Sequence, residues 1–248
     1  MTLKYKTALI IGGSRGVGHD LSVKLSNLGV KTTAVARNKT DLNNLKSEAP
    51  SIDIIAQDAT EDGVAEKLIS EVSPDLLMLV GGYLPKMQPM TDMNWQEFSA
   101  TWNTDTKIAF EFTKAALLHP MPMGSAIVSF ASGAALFGSP LSGGYAGAKR
   151  MQHYISNYGK READLRELGL NFYTIYPKQL IAGTDIGNDA SLAYATANSI
   201  PQEKFMKQWD QPLTPDLISE NVINLLSDDT GDNCGTYAIT GTNMEALA

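Results

Sequence analysis

Short apolar runs alternate along the chain with longer segments in which apolar residues recur every three or four positions. Thr7–Ile11, Lys31–Ala36, Ile52–Ala56, Leu76–Val80, Ala126–Phe130, Asn171–Ile175 and Tyr237–Ile239 read as strands. They show little strict alternation of apolar and polar residues, which predicts burial on both faces, as in a parallel sheet. Helical periodicity fills 16–28, 40–48, 61–72, 94–118, 143–168 and 214–227. Alternation repeated this often predicts an α/β fold, a doubly wound parallel sheet of about seven strands flanked by helices. No linker, solenoid repeat or low-complexity tract divides the chain, so a single domain over 1–248 is expected. Only 178–213 breaks the rhythm, with Gly183, Gly187, Pro201 and Pro212 beside Tyr194, Phe205, Met206 and Trp209. It reads either as a lid over a site at the strand ends or as a helical excursion that completes the core; the lid is the expectation.

Composition narrows the partners. Of 248 residues, 43% are hydrophobic and 19% charged, enough apolar material for one large core. A net charge of −7 without a Lys/Arg run argues against nucleic acid as the main partner, though a local basic pocket remains compatible with it. The single cysteine, Cys234, excludes an internal disulfide framework and fits a reducing compartment. The apolar run Ala8–Ile11 is too short to span a membrane, and no small-residue cleavage pattern follows it. A cytoplasmic protein without a membrane segment is therefore expected. His19, His119 and His153 have no metal-ligand spacing, and no metal site is expected. Cys234 reads as a bystander thiol, Asp228, Asp229 and Asp232 as a solvated turn, and Trp95 and Trp102 as one packed face.

Candidate chemistry begins at the first strand's end. Gly12-Gly13-Ser14-Arg15-Gly16-Val17-Gly18 joins that strand to the first helix, with glycines spaced G-x-x-x-G-x-G at 12, 16 and 18. Glycine permits a tight turn and close approach of a phosphate, and the helix start offers free N–H groups and the positive end of a dipole. The strand–turn–helix context lifts the motif above an ordinary glycine turn. A dinucleotide site selective for NAD commonly has an acid at the end of the second strand. Here that end reads Ala36-Arg37-Asn38, and Arg37 with Arg15 is placed to bracket a 2′-phosphate, which predicts NADP(H) as cofactor.

Tyr145-Ala146-Gly147-Ala148-Lys149 opens a long helix, and the i,i+4 spacing puts phenol and ammonium on one face. A free phenol has a pKa of about 10, so it needs a nearby positive charge to exchange protons near neutrality. With that help it serves as general acid in reduction and general base in oxidation. Tyr145 also falls in register with Ala148, Met151, Ile155 and Tyr158, so alone it also fits a core aromatic. Its company favours the chemical role. Ser132 follows the fifth strand, placed to hydrogen-bond a substrate oxygen, and Asn103 lies inside the long helix after the fourth strand, where a water or backbone partner is expected.

Taken together, these motifs resemble the short-chain dehydrogenase/reductase family from Thr7 to about Gly241. The resemblance implies a single Rossmann domain and an oxidoreductase moving hydride between a nicotinamide and a carbonyl or alcohol. It implies Tyr145 as proton donor or acceptor and Ser132 as the residue orienting the carbonyl. Lys149 would lower the tyrosine pKa and hold the nicotinamide ribose, and Asn103 would support a relay water. It places Asp58, with Ala59, at adenine, and Tyr145 and Lys149 at the cofactor as well as at the substrate. It further implies a homodimer or homotetramer built through 94–118 and 143–168.

Four departures from the pattern stand out. Ile11 precedes the first glycine where Thr is usual. The Asn-Asn-Ala-Gly stretch after the fourth strand reads Leu79-Val80-Gly81-Gly82, whose glycines still admit the cofactor but whose polar stabilisation is lost. The family's Pro-Gly becomes Pro177-Lys178, and the Thr that follows it is displaced to Thr184; Ile181 or Thr184 is left to meet the nicotinamide amide or pyrophosphate. Leu136, Phe137, Pro140 and Leu141 lie where the substrate wall is expected and suggest a partly hydrophobic ketone, oxoacyl or small cyclic carbonyl substrate. The competing reading is a non-catalytic NADP(H)-binding module that senses redox state or scaffolds partners; the Tyr, Lys, Ser and Asn together argue against it.

Overall fold

The computed structural model describes residues 3–227 and 235–247. The readings of Cys234, Asp228, Asp229 and Asp232 therefore lie outside the described residues. Within them, eight strands form one sheet in the order β3-β2-β1-β4-β5-β6-β7-β8. Seven of these are β1 (Thr7–Ile11), β2 (Lys31–Ala36), β3 (Asp53–Ala56), β4 (Leu76–Leu79), β5 (Ala126–Phe130), β6 (Asn171–Pro177) and β7 (Gly235–Ile239). They run parallel, and β8 (Met244–Leu247) closes the edge antiparallel to β7. Every residue of β4 and β5 is buried, as the unalternating apolar runs required.

The eighth strand has no counterpart among the sequence candidates. Its four residues, Met-Glu-Ala-Leu, contain no β-branched or aromatic side chain, and Glu245 and Ala246 are exposed. Pairing comes from the preceding turn, where Thr240 N–H donates to Asn243 C=O at 2.9 Å and folds the chain back on β7.

Helices cover both faces. On one face, α1 (Gly16–Asn27) and α10 (Pro215–Ser227) bury Leu21, Leu25, Ile218 and Val222 against Ile10, Met78, Val128 and Ile175. On the other, α3 (Val64–Val72), α5 (Lys107–Leu118) and α7 (Gly144–Leu165) bury Leu68, Phe112 and Ala163 against Leu9, Leu77 and Ile127. Side chains alternate across a strand, so neighbours such as Leu9 and Ile10 enter opposite cores, which is why strict alternation is missing. α2 (Lys39–Glu48) closes the β2–β3 edge through Leu42 and Leu45.

The long helix expected over 94–118 is divided. α4 (Trp95–Thr101) starts at a capping box between Asn94 and Glu97 and runs into one π-helical turn, Trp102–Thr106, before α5. The excursion 178–213 is largely helical, with α8 (Asp185–Ala197) and α9 (Gln202–Met206). Its aromatics pack on one another: Tyr194 stacks on Phe205 at 5.8 Å, and Phe205 meets Trp209 edge-on at 6.0 Å. No described helix is long and apolar enough to cross a membrane.

Candidate active site

The strand order reverses between β1 and β4, and a crevice opens at the carboxyl ends of strands at such a point. A cleft of about 810 Å³ lies there, floored by the turns after β1, β2, β3 and β4 and bounded by α7 and the start of the excursion. Gly12, Ser14, Arg15, Gly16, Val17, Arg37, Asn38, Asp58, Ala59, Gly81, Gly82, Tyr145, Lys149, Pro177, Ile181 and Thr184 all line it. The cleft thus gathers residues from six separate turns.

The glycine turn works by backbone proximity. Gly12 sits at φ +86°, and a Cβ there would lie 2.3 Å from the Gly81 Cα, so two backbone turns touch across the switch point. Gly18 does not line the cleft: a Cβ on it would lie 2.0 Å from the Gly12 carbonyl oxygen, so this glycine packs α1 beneath the turn. The expectation of Gly18 as a contact residue is corrected to a packing role. Arg15 begins α1 without a side-chain cap, which leaves the helix N-terminus open to an anion.

Arg15 and Arg37 both line the cleft, beyond the ends of β1 and β2, yet both have acidic neighbours. Arg15 pairs with Asp185 at the start of α8 and lies 3.5 Å from Asp41; Arg37 lies 3.9 Å from Asp58. These pairs are solvent-exposed and weak, worth about 1 kcal/mol or less each, so a phosphate can compete for both guanidinium groups. Asp58 is held below the usual carboxylate range despite some burial, because it accepts hydrogen bonds from Thr60 N–H and Oγ and faces Arg37 and Lys107. Asn38 caps α2, accepting from Thr40 N–H at 2.9 Å.

At the other end stand Tyr145, Ser132 and Lys149. Ser132 stands beside the Tyr145 hydroxyl, close enough to favour its ionised form, and Lys149 Nζ lies 5.7 Å from the Tyr145 ring centre. Lys149 is buried, donating to the Phe130 carbonyl at 3.1 Å and lying 3.1 Å from Asp105 Oδ2. Burial raises the Tyr145 pKa and Asp105 adds to the rise; Lys149 and Ser132 oppose it without reversing it. Burial works to lower the Lys149 pKa, but Asp105 and Tyr145 outweigh it and the ammonium is held above its ordinary value.

Asn103 does not join this group. It is exposed and does not line the cleft, whereas Asp105, two residues on, is fully buried and does. The pattern on α5 explains the difference. Asp105 precedes the buried Ile108, Ala109 and Phe112 by three, four and seven positions, whereas Asn103 precedes the exposed Phe110 by seven. The polar helix residue at the site is Asp105, and the signal for it was the buried stripe rather than the residue type.

Two of the sequence departures find physical compensation. After β4, the lost polar stabilisation is replaced by Asp105, whose Oδ1 accepts from Tyr83 N–H at 2.8 Å. Gly82 makes room for it, since a Cβ there would lie 2.6 Å from Asp105 Oδ2. After β6, a Cβ on Gly133 would lie 2.9 Å from the Lys178 Cα, so space absent at Lys178 is provided at Gly133. Lys178 itself reaches Glu245 of β8 at 3.4 Å. Thr184 caps α8, accepting from Gly187 N–H at 3.1 Å, and its methyl comes within 3.3 Å of where a Gly16 Cβ would stand.

Residues 6–190 match the short chain dehydrogenase family, and the chain belongs to it. The family comprises nicotinamide-dependent oxidoreductases. Among curated relatives, carbonyl reductase [NADPH] 2 of Sus scrofa is 22% identical over 233 residues, covering 92% of both chains. D-erythrulose reductase of Gallus gallus is 22% identical over 242 residues, 95% of this chain and 94% of its own. In three dimensions, NAD+-bound xylitol dehydrogenase superposes with a TM-score of 0.82 at 16% identity, over 95% of this chain and 98% of that one, a likeness of fold. The residues present fit a nicotinamide dinucleotide: an uncapped helix start for the pyrophosphate, glycine backbones at Gly12 and Gly81, and a Tyr–Lys pair at the far end.

Proposed function

We propose that the protein is an NADPH-dependent carbonyl reductase acting on a small, partly hydrophobic ketone or related carbonyl. The observation that carries the chemistry is the pairing of Tyr145 and Lys149 in the wall of the cleft, with Ser132 beside Tyr145. Bound NADPH would supply the hydride that the carbonyl carbon accepts. Ser132 donates a hydrogen bond to the carbonyl oxygen and polarises it; Tyr145 gives that oxygen the proton that completes the alcohol. Lys149 would hold the nicotinamide ribose, and it keeps positive charge beside the phenol. For alcohol oxidation the same proton returns to a Tyr145 phenolate.

The preference for NADP(H) over NAD(H) rests on Arg37, which follows β2 where an acid would bind a ribose 2′-hydroxyl, and on Arg15 across the same end of the cleft. Leu84 and Tyr83 at the cleft edge, with Phe137 (90% exposed) just beyond Ser132, support an apolar substrate wall. The excursion serves as a lid: Ile181 and Thr184 line the cleft, and Tyr194 of α8 lies close to the Leu141 backbone. Phe110 and Leu118 on α5 and Tyr154, Tyr158 and Leu165 on α7 are exposed apolar residues on two adjacent helices, which favours a homodimer or homotetramer. The test is a panel of ketones, diketones and oxoacyl thioesters with NADPH or NADH. Turnover preferring NADPH is expected; tight NADPH binding with no turnover of any carbonyl would instead favour a non-catalytic binding module.

A further inference from the structure

A buried carboxylate costs several kcal/mol in desolvation unless it is paired and hydrogen-bonded. Asp105 meets both conditions at the site itself: one oxygen accepts from Tyr83 N–H at 2.8 Å, and the other lies 3.1 Å from Lys149 Nζ. The π-helical turn that carries it also turns its main-chain carbonyl toward α7, where the buried Gln152 donates to it at 3.3 Å. Gly82 keeps the space open, and Lys149 is tied from the other side by the Phe130 carbonyl. Backbone from three turns is thus shaped around one negative charge whose only charged partner within salt-bridge distance, among the described residues, is Lys149.

We propose that Asp105 is a positioning residue that anchors the Lys149 ammonium at the floor of the cleft and offsets its charge, suiting Tyr145 to donate a proton and the site to carbonyl reduction. A lone ammonium within about 4–6 Å lowers an acid's pKa by roughly 1–3 units. A carboxylate 3.1 Å from that ammonium turns the single charge into a dipole and weakens its pull on the phenol proton. The groups acting on Tyr145 are Lys149 from its own helix, Asp105 from the π-helical turn and the neutral Ser132 from the segment after β5. Lys149 sees Asp105 and Tyr145 in return. Burial, with Asp105 adding to it, holds Tyr145 protonated through neutral and mildly alkaline pH, which serves reduction over a wide range and confines oxidation to alkaline pH.

The inference rests on Tyr145 as the acid of the proposed reductase, and Asp105→Asn tests it. Asparagine keeps the shape and an acceptor for Tyr83 N–H while removing the charge. The ultraviolet tyrosinate titration of each protein, less that of the same protein carrying Tyr145→Phe, reports the Tyr145 phenol without any substrate. The expected result is ionisation of Tyr145 at least about one pH unit lower in D105N than in the unmodified protein. With a substrate in hand, the rising limb of kcat/KM for alcohol oxidation shifts down in pH by the same amount. Coincident titrations overturn the proposal, including the case where D105N merely melts earlier. If D105N does not fold, Asp105→Ser, smaller and neutral, is read in the same way. A shifted titration with no turnover on the carbonyl panel would reject the reductase reading and leave the role of Asp105 intact.

Discussion

Arg37 and Tyr145 separate two questions that a dinucleotide enzyme must answer: which cofactor, and which proton. Arg37 stands exposed at the end of β2, so under the proposed NADP(H) preference its contribution to a 2′-phosphate would be a charge-assisted hydrogen bond of about 1.5–3 kcal/mol, or about 10–100-fold in affinity. Arg37→Asp is expected to reduce the preference for NADPH over NADH by about that factor, measured as the ratio of kcat/KM values for the two cofactors. An unchanged ratio removes Arg37 from the phosphate site. Tyr145, Lys149 and Ser132 could be singled out in the sequence by the Tyr-x-x-x-Lys spacing and their order along the chain, and the structure brings the three together. Asp105 was not singled out, because asparagine is the residue type the family pattern carries on that helix. The buried stripe of Ile108, Ala109 and Phe112 pointed to position 105, and the residue type at 103 pointed elsewhere. Residue chemistry is ambiguous inside a helix until its face is known.

Elements make the cleft by approaching more closely than side chains allow. α1 reaches the turn after β1 only because Gly18 has no Cβ; one would stand 2.0 Å from the Gly12 oxygen. Gly18→Ala is expected to force the helix away at a cost of about 1–3 kcal/mol, lowering Tm by roughly 2–10 °C and weakening NADPH binding together. A Tm within a degree of the unmodified protein would show that α1 is not constrained there. The ends of α1, α2 and α7 were close to their sequence limits, since glycine and asparagine mark them locally. The π-helical turn at Trp102–Thr106 was not legible, because its cause is tertiary: it brings Asp105 to Lys149 and its carbonyl to Gln152 of α7. The excursion 178–213 announced itself by composition, but its helices and aromatic stack came only with the structure.

At the scale of the whole molecule, the parallel sheet was legible because both of its faces are covered, which forces continuous apolar strands. The edge was not: β8 is short, exposed at its centre and specified by a turn. The outer surfaces of α5 and α7 carry Phe110, Leu118, Tyr154, Tyr158 and Leu165 in the open, with Lys114 over Phe110 and Arg150 over Tyr154. Light scattering at micromolar concentration is expected to show a dimer or tetramer, and Tyr158→Lys to shift it toward monomer. A monomer in the unmodified protein would contradict that assembly.

Proton transfer by Tyr145 is isolated by Tyr145→Phe, which removes the hydroxyl and leaves the ring in place. General acid catalysis contributes about 10²–10⁴-fold. NADPH oxidation with a carbonyl that the unmodified protein reduces should therefore fall by that factor in Y145F, while NADPH binding followed by fluorescence stays nearly unchanged. A Y145F protein that turns over as fast as the unmodified one would show that another group supplies the proton.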